Sequence, residues 1–113
     1  MLRLYHNPQC SKSRAALSRL QAAGRHAEIV DYMAVPPARE QLRQLINKLD
    51  APAARLLRLP ADEAPAQADD IIDLLLASPE LLQRPLLEDD THAIIARPPE
   101  RVDAFVSPAT DAS

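Results

Sequence analysis

A single cysteine, Cys10, sits in the stretch YHNPQCSKSR, residues 5–14, between an Asn-Pro turn and two cations. A thiol becomes a nucleophile at neutral pH when its thiolate is stabilised, and the free amides of a helix N-terminus with nearby cations do this. His6 and Asn7 lie on the approach to Cys10, and Lys12, Ser13 and Arg14 follow it. Up to residue 27 the chain carries Arg3, Lys12, Arg14, Arg19 and Arg25 but no carboxylate; Glu28 is the first acid. That imbalance is either a positive field around the thiol or an ordinary difference between helix faces. A free cysteine is often just a small core residue. The polar setting NPQCSKSR is a poor place to bury one, which favours reactivity. CSKS is also a CxxC pattern with Ser13 in place of the second cysteine. A thiolate here has no internal resolving partner, so a redox cycle takes its second thiol from glutathione or another protein.

Two arginines stand beside prolines, Arg84-Pro85 and Arg97-Pro98. The planar fork of donors on arginine suits tetrahedral oxyanions. Taken singly, each reads as a solvated neighbour of an element end; a pair bracketing a hairpin points toward an anion. His26 and His92 have no cysteine or carboxylate partner at metal-ligand spacing, so no metal site is expected and both are assigned to the surface. Gly24 is the sole glycine, which excludes a glycine-rich phosphate loop.

The elements that must position these groups follow from periodicity. Leu2 and Leu4 alternate with Arg3 and Tyr5, giving a short strand that runs into His6-Asn7-Pro8. Ala16, Leu17, Leu20 and Ala23 recur at helical spacing until Gly24 stops the helix. Cys10 therefore falls at a strand-to-helix junction. Residues 28–32 read as a second strand, so the first unit is strand-helix-strand and parallel. Pro36-Pro37 opens a helix with Leu42, Leu45, Ile46 and Leu49 on one face. A short helical stretch is expected over 53–58, then a loop over 60–67, then a helix starting at Asp69 with Ile71, Ile72, Leu75 and Leu76 buried. Ser78-Pro79 starts a brief helix to about Gln83. Leu86-Leu87 and residues 93–96 flank the polar stretch EDDTH as a hairpin, and Pro98-Pro99 opens a last helix carrying Val102, Phe105 and Val106. The order specifies an α/β layer structure with a mixed sheet.

Composition narrows the partners. The chain of 113 residues is large enough for one domain with a core that needs no disulfide or metal. With one Phe, two Tyr and no Trp it lacks the stacking surfaces of single-strand nucleic-acid binders, and a net charge of −3 disfavours nucleic acid and anionic membranes. No apolar run approaches the roughly 20 residues of a membrane span, and MLRLYHNP has no signal-peptide core, so a cytoplasmic location is expected.

YHNPQCSKSR resembles the active-site segment of the glutaredoxin-coupled arsenate reductases, YHNP-x-C-x-x-S-R. The likeness continues through DYMAVPPAREQLRQLI, ARLLR, ASPELLQRPLL and IIARPPE, nearly all of residues 1–105. The resemblance implies a thioredoxin-like fold, a four-stranded mixed sheet flanked by helices, in one domain over 1–105 with a flexible tail over 106–113. It implies reduction of arsenate to arsenite by a single thiolate, Cys10, with glutathione as co-substrate, glutaredoxin as partner and no bound cofactor. On the same ground His6 lowers the thiol pKa, Asn7, Ser13 and Arg14 support the loop, and Arg58, Arg84 and Arg97 hold the oxyanion. It also implies a cis bond at Arg84-Pro85. The segment after Arg58 departs from the family pattern: it is shorter and reads LPADEAPAQ, which puts the reach of Arg58 in question. Relatives include other glutathione-linked thiol oxidoreductases and Spx-type regulators that bind RNA polymerase; CSKS together with RPP favours the enzyme.

Overall fold

The computed structural model describes residues 2–106. Strand β1 (Leu2–His6) pairs in parallel with β2 (Ala27–Asp31), and α1 (Ser11–Ala22) makes the crossover between them. Gly24 ends that crossover helix with φ +70, a left-handed conformation that costs a glycine nothing, while the Arg25 N–H returns to the Leu20 carbonyl at 3.0 Å. Strand β3 (Leu86–Glu88) runs antiparallel to β1, and β4 (Ala93–Ile95) antiparallel to β3, giving the order β2-β1-β3-β4.

The period-2 alternation divides the core between the two faces of this sheet. Leu2, Leu4, Leu87 and Ile94 pack on α1 and on α4 (Arg101–Val106) through Ala16, Leu20, Val102 and Val106. Tyr5, Leu86, Ala93 and Ile95 face the other way, onto α2 (Arg39–Lys48) and α3 (Ala68–Ala77) through Leu42, Leu45, Ile71, Ile72 and Leu75. The result is a mixed four-stranded sheet between two helical layers, as the element order requires.

Several boundaries differ from the sequence reading. β2 begins and ends one residue earlier, and Tyr32 leaves the strand to bury its ring in the core. The stretch expected to be helical over 53–58 is a 3₁₀ turn, Ala53–Leu56, after which Leu57 is extended and bridges Leu82. The turn after Ser78 is likewise 3₁₀, Pro79–Leu81, and Leu82 is already extended. That cross-bridge pulls both segments out of helical geometry, which local periodicity cannot register. The last helix is assigned from Arg101, because Pro98 to Glu100 serve as i−3 acceptors in its opening turn. Val106, placed in the last helix by its spacing and in the tail by the family resemblance, closes α4 with its side chain buried; the rest of the tail, 107–113, lies outside the described residues.

One buried carboxylate ties the sheet to α2. Glu88 is 2% exposed and accepts from Tyr5 Oη at 3.1 Å, Arg3 Nη1 at 3.2 Å and Lys48 Nζ at 2.8 Å. Burial and this carboxylate push the Tyr5 phenol well above its ordinary pKa. Glu88→Ala leaves two cations and a phenol without their acceptor. It should destabilise the fold by about 3 kcal/mol, read as a lower urea midpoint at unchanged slope. A midpoint within error of the parent would show that solvent takes over from Glu88.

Candidate active site

Strand direction alone brings the chemistry to one end of the sheet. Cys10 follows the C-terminal end of β1, Arg84 precedes β3 and Arg97 follows β4. With Tyr5 opposite Leu86 and Leu86 opposite Ile95, those three points share an edge. The peptide bonds Arg84-Pro85 and Arg97-Pro98 are both cis. The first was implied by the family resemblance, and the second was not expected.

Cys10 is the N-cap residue of α1 and is partly exposed. Its side chain occupies the place where a serine or aspartate would accept from the first turn. Burial pushes the thiol up. Against it act the Ser13 N–H, the Arg84 side chain, the Lys12 N–H and the Ser13 hydroxyl, which stabilise the thiolate and bring the thiol down to about 7. The free amides of a helix start and one arginine thus hold a thiolate near neutral pH.

The loop is braced by its own residues. The Cys10 N–H donates to the Asn7 carbonyl at 2.9 Å, and Asn7 Oδ1 accepts from the Gln9 N–H at 2.9 Å. Buried Ser13 accepts the Asn7 N–H on its Oγ at 3.3 Å, so one hydroxyl joins loop to sulfur. Arg14 is exposed and its Nη1 donates to the Pro8 carbonyl at 2.8 Å, which makes it a brace for the turn.

The three arginines are not equivalent. Arg84 stabilises the thiolate, and its Nε is buried without a hydrogen-bond partner among the described residues. Arg97 lies beside it, donating from Nη1 to the Arg84 carbonyl at 3.0 Å and to Gln83 Oε1 at 3.2 Å. Arg58 is exposed, and its side chain makes no hydrogen bond or ion pair among the described residues. The antiparallel bridge at Leu57–Leu82 sets Arg58 opposite Leu81, upstream of Arg84. Arg84 and Arg97 are brought together beside Cys10, while no hydrogen bond or ion pair fixes the Arg58 side chain among the described residues. Gln83, which sequence reasoning missed, also accepts the Arg84 N–H on its Oε1 at 3.3 Å, so one amide oxygen serves both arginines. Its position directly before Arg84-Pro85 was the available signal.

His6 is 7% exposed, its Nδ1 has no partner among the described residues, and it is not among the groups that hydrogen-bond Cys10. Burial lowers its pKa, Asp31 opposes this, and the Arg14 charge adds to the lowering, so the ring is held neutral. The unfolded chain binds a proton at His6 near the ordinary value of 6.5 while the folded chain resists it. More protons on the unfolded state mean that stability falls as pH is lowered through that value. Thermal midpoints taken from about pH 7.5 down to about pH 5.5 should therefore decline less steeply in His6→Gln than in the parent. Equal slopes would contradict a buried neutral His6.

Against known proteins, a family description reading ArsC family matches residues 5–105. An arsenate reductase of Neisseria meningitidis serogroup A is 36% identical over 114 residues, covering 93% of this chain and 97% of that protein. An arsenate reductase of Escherichia coli K12 is 32% identical over 107 residues, covering 88% of this chain and 76% of that protein. The solved arsenate reductase from Vibrio cholerae shares the fold with a TM-score of 0.83 at 26% identity, over 93% of this chain and 97% of that one. The fold is thioredoxin-like. With the motif, the sheet order and the relatives in agreement over almost its whole described length, the chain belongs to the ArsC family.

Proposed function

We propose that this chain reduces arsenate to arsenite in the cytoplasm, with Cys10 as the nucleophile and glutathione and glutaredoxin as the source of electrons. The observation that carries the reading is the Arg84 side chain: it holds the thiolate while its buried Nε lacks an acceptor, which a tetrahedral oxyanion beside the sulfur would supply. Arg97, fixed against the Arg84 carbonyl, adds a second fork at the same place.

The steps balance as follows. The Cys10 thiolate displaces one arsenate oxygen, which leaves as water, and a sulfur–arsenic bond forms. Glutathione displaces a second oxygen as water and adds its sulfur to the arsenic. A glutaredoxin thiolate then attacks the glutathione sulfur; the pair of the broken sulfur–arsenic bond passes to arsenic, reducing As(V) to As(III). The mixed disulfide leaves, and water releases arsenite from Cys10. Two thiols are oxidised for each arsenate reduced, and one water is the net by-product. No bound cofactor enters this cycle. In it, Cys10 must leave as a good thiolate as well as attack, and a thiol near neutrality serves both needs.

The experiment is arsenite production from arsenate with glutathione, with and without glutaredoxin. The expected result is turnover that requires glutathione and rises strongly with glutaredoxin. Absence of arsenite under all conditions would overturn the reading. Arg58, whose side chain is exposed and held by no hydrogen bond or ion pair among the described residues, is the observation that favours a second reading: a thiol oxidoreductase acting on another glutathione-linked electrophile. Glutathione-dependent exchange at Cys10 without arsenite formation would select it.

A further inference from the structure

A groove of about 360 Å³ lies between the 3₁₀ turn Ala53–Leu56 and the residues entering β3. Arg55, Leu57, Leu59, Ala61 and Gln83 line it. Gln83 connects it to the active site: its Oε1 accepts from Arg97 and from the Arg84 N–H, and the Arg84 side chain stabilises the Cys10 thiolate. Gln83 in the groove wall is thus the sequence neighbour of Arg84, the arginine that stabilises the Cys10 thiolate. The cavity formed by Leu2, Arg25, Asp89 and Phe105, by contrast, sits at the opposite end of β1 from Cys10.

The lining has a definite chemistry. Arg55 is exposed, and its side chain makes no hydrogen bond or ion pair among the described residues, so its fork of donors is available at the rim. The walls are small and aliphatic, and the exposed acids Asp62 and Glu63 stand in the turn after Ala61. The far wall is built by residues of LPADEAPAQ, the segment in which this chain departs from the family pattern.

We propose that this groove binds glutathione, the thiol that exchanges with Cys10, with Arg55 taking one of its carboxylates. The inference rests on reading Cys10 as a glutathione-linked thiol and adds where that thiol docks. Glutathione carries two carboxylates and one ammonium around a small apolar middle. The groove offers a free guanidinium and an apolar wall, and acids stand on the adjoining turn. An extended tripeptide spans about 10 Å, and Gln83 in the groove wall leads directly to Arg84, the arginine beside the thiol.

Thiol–disulfide exchange tests the docking separately from arsenate chemistry. The Cys10 thiolate attacks oxidised glutathione; a bond forms between Cys10 and one glutathione sulfur, the original disulfide breaks, and the other glutathione leaves as thiolate with the electron pair. Formation of the adduct is followed by intact mass, with neutral 2-hydroxyethyl disulfide as the uncharged comparison. Arg55→Glu should slow exchange with oxidised glutathione by about fivefold or more while leaving the neutral disulfide unchanged. Arg39→Glu, a charge reversal on α2 away from the groove, should change neither rate. Equal rates for Arg55→Glu and the parent with oxidised glutathione would overturn the proposal. So would a parallel fall with both disulfides, which reports a general field on the thiol. A parent that forms the adduct in an Arg55-dependent way but makes no arsenite keeps the groove and loses the arsenate reading. A parent that makes arsenite while Arg55→Glu exchanges normally does the reverse.

Discussion

Cys10→Ser should abolish arsenate reduction, by at least about 10⁴-fold, without weakening the fold. The chain has one cysteine, so no second thiol can substitute. The serine hydroxyl would stand at the same N-cap, where the Ser13 and Lys12 amides now serve the sulfur. Serine is a favoured N-cap acceptor. The thermal midpoint of Cys10→Ser should therefore equal or slightly exceed that of the parent. A folded serine variant that still forms arsenite would rule out covalent chemistry at this position. Lost activity with a lowered midpoint would instead assign Cys10 a structural role.

Arg84→Lys should lower arsenate turnover by about 10–100-fold, the range expected for losing a charge-assisted, directed hydrogen bond. Lysine keeps the charge but presents a point donor in place of a planar fork. Arg97→Lys should cost about tenfold, because Arg97 reaches the site from its anchor on the Arg84 carbonyl and Gln83 and does not touch the sulfur. The same geometry separates their effects on the thiol. Arg84→Met should raise the apparent pKa of Cys10 above about 7, since Arg84 is one of the donors holding the thiolate, whereas Arg97→Met should leave it in place. Arg58→Lys should change turnover little, in keeping with its exposed and unpaired side chain. Full activity in both Arg84→Lys and Arg97→Lys would remove the oxyanion role from this edge of the sheet.

Much of the fold was legible because its signals are local. Leu2 and Leu4 alternate, Ala16 and Leu20 repeat at helical spacing, and Pro8 and Gly24 mark the ends, so the strand-helix-strand unit and the place of Cys10 follow from neighbouring residues. The pairing of Leu57 with Leu82 was not legible, since it joins segments far apart in sequence and turns two expected helical stretches into 3₁₀ turns and extended chain. Glu88 was hidden for the same reason. In sequence it opens a polar run, EDDTH, yet its buried position depends on Tyr5, Arg3 and Lys48 arriving from elsewhere. At the site, the nucleophile and the Arg-Pro pairs carry local patterns, whereas Gln83 is marked only by its position before Arg84-Pro85. The state of His6 is set by burial, which a motif does not record.

The central claim is that Cys10 is a thiolate near neutral pH at a site where Arg84 and Arg97 hold an oxyanion. Its most direct test is the rate of Cys10 alkylation by iodoacetamide against pH, with and without arsenate. The account predicts a midpoint at about 7, and protection of Cys10 by arsenate that disappears in the Arg84→Lys and Arg97→Lys variants. A midpoint at or above the ordinary thiol value of about 8.5, with no protection by arsenate, would contradict it.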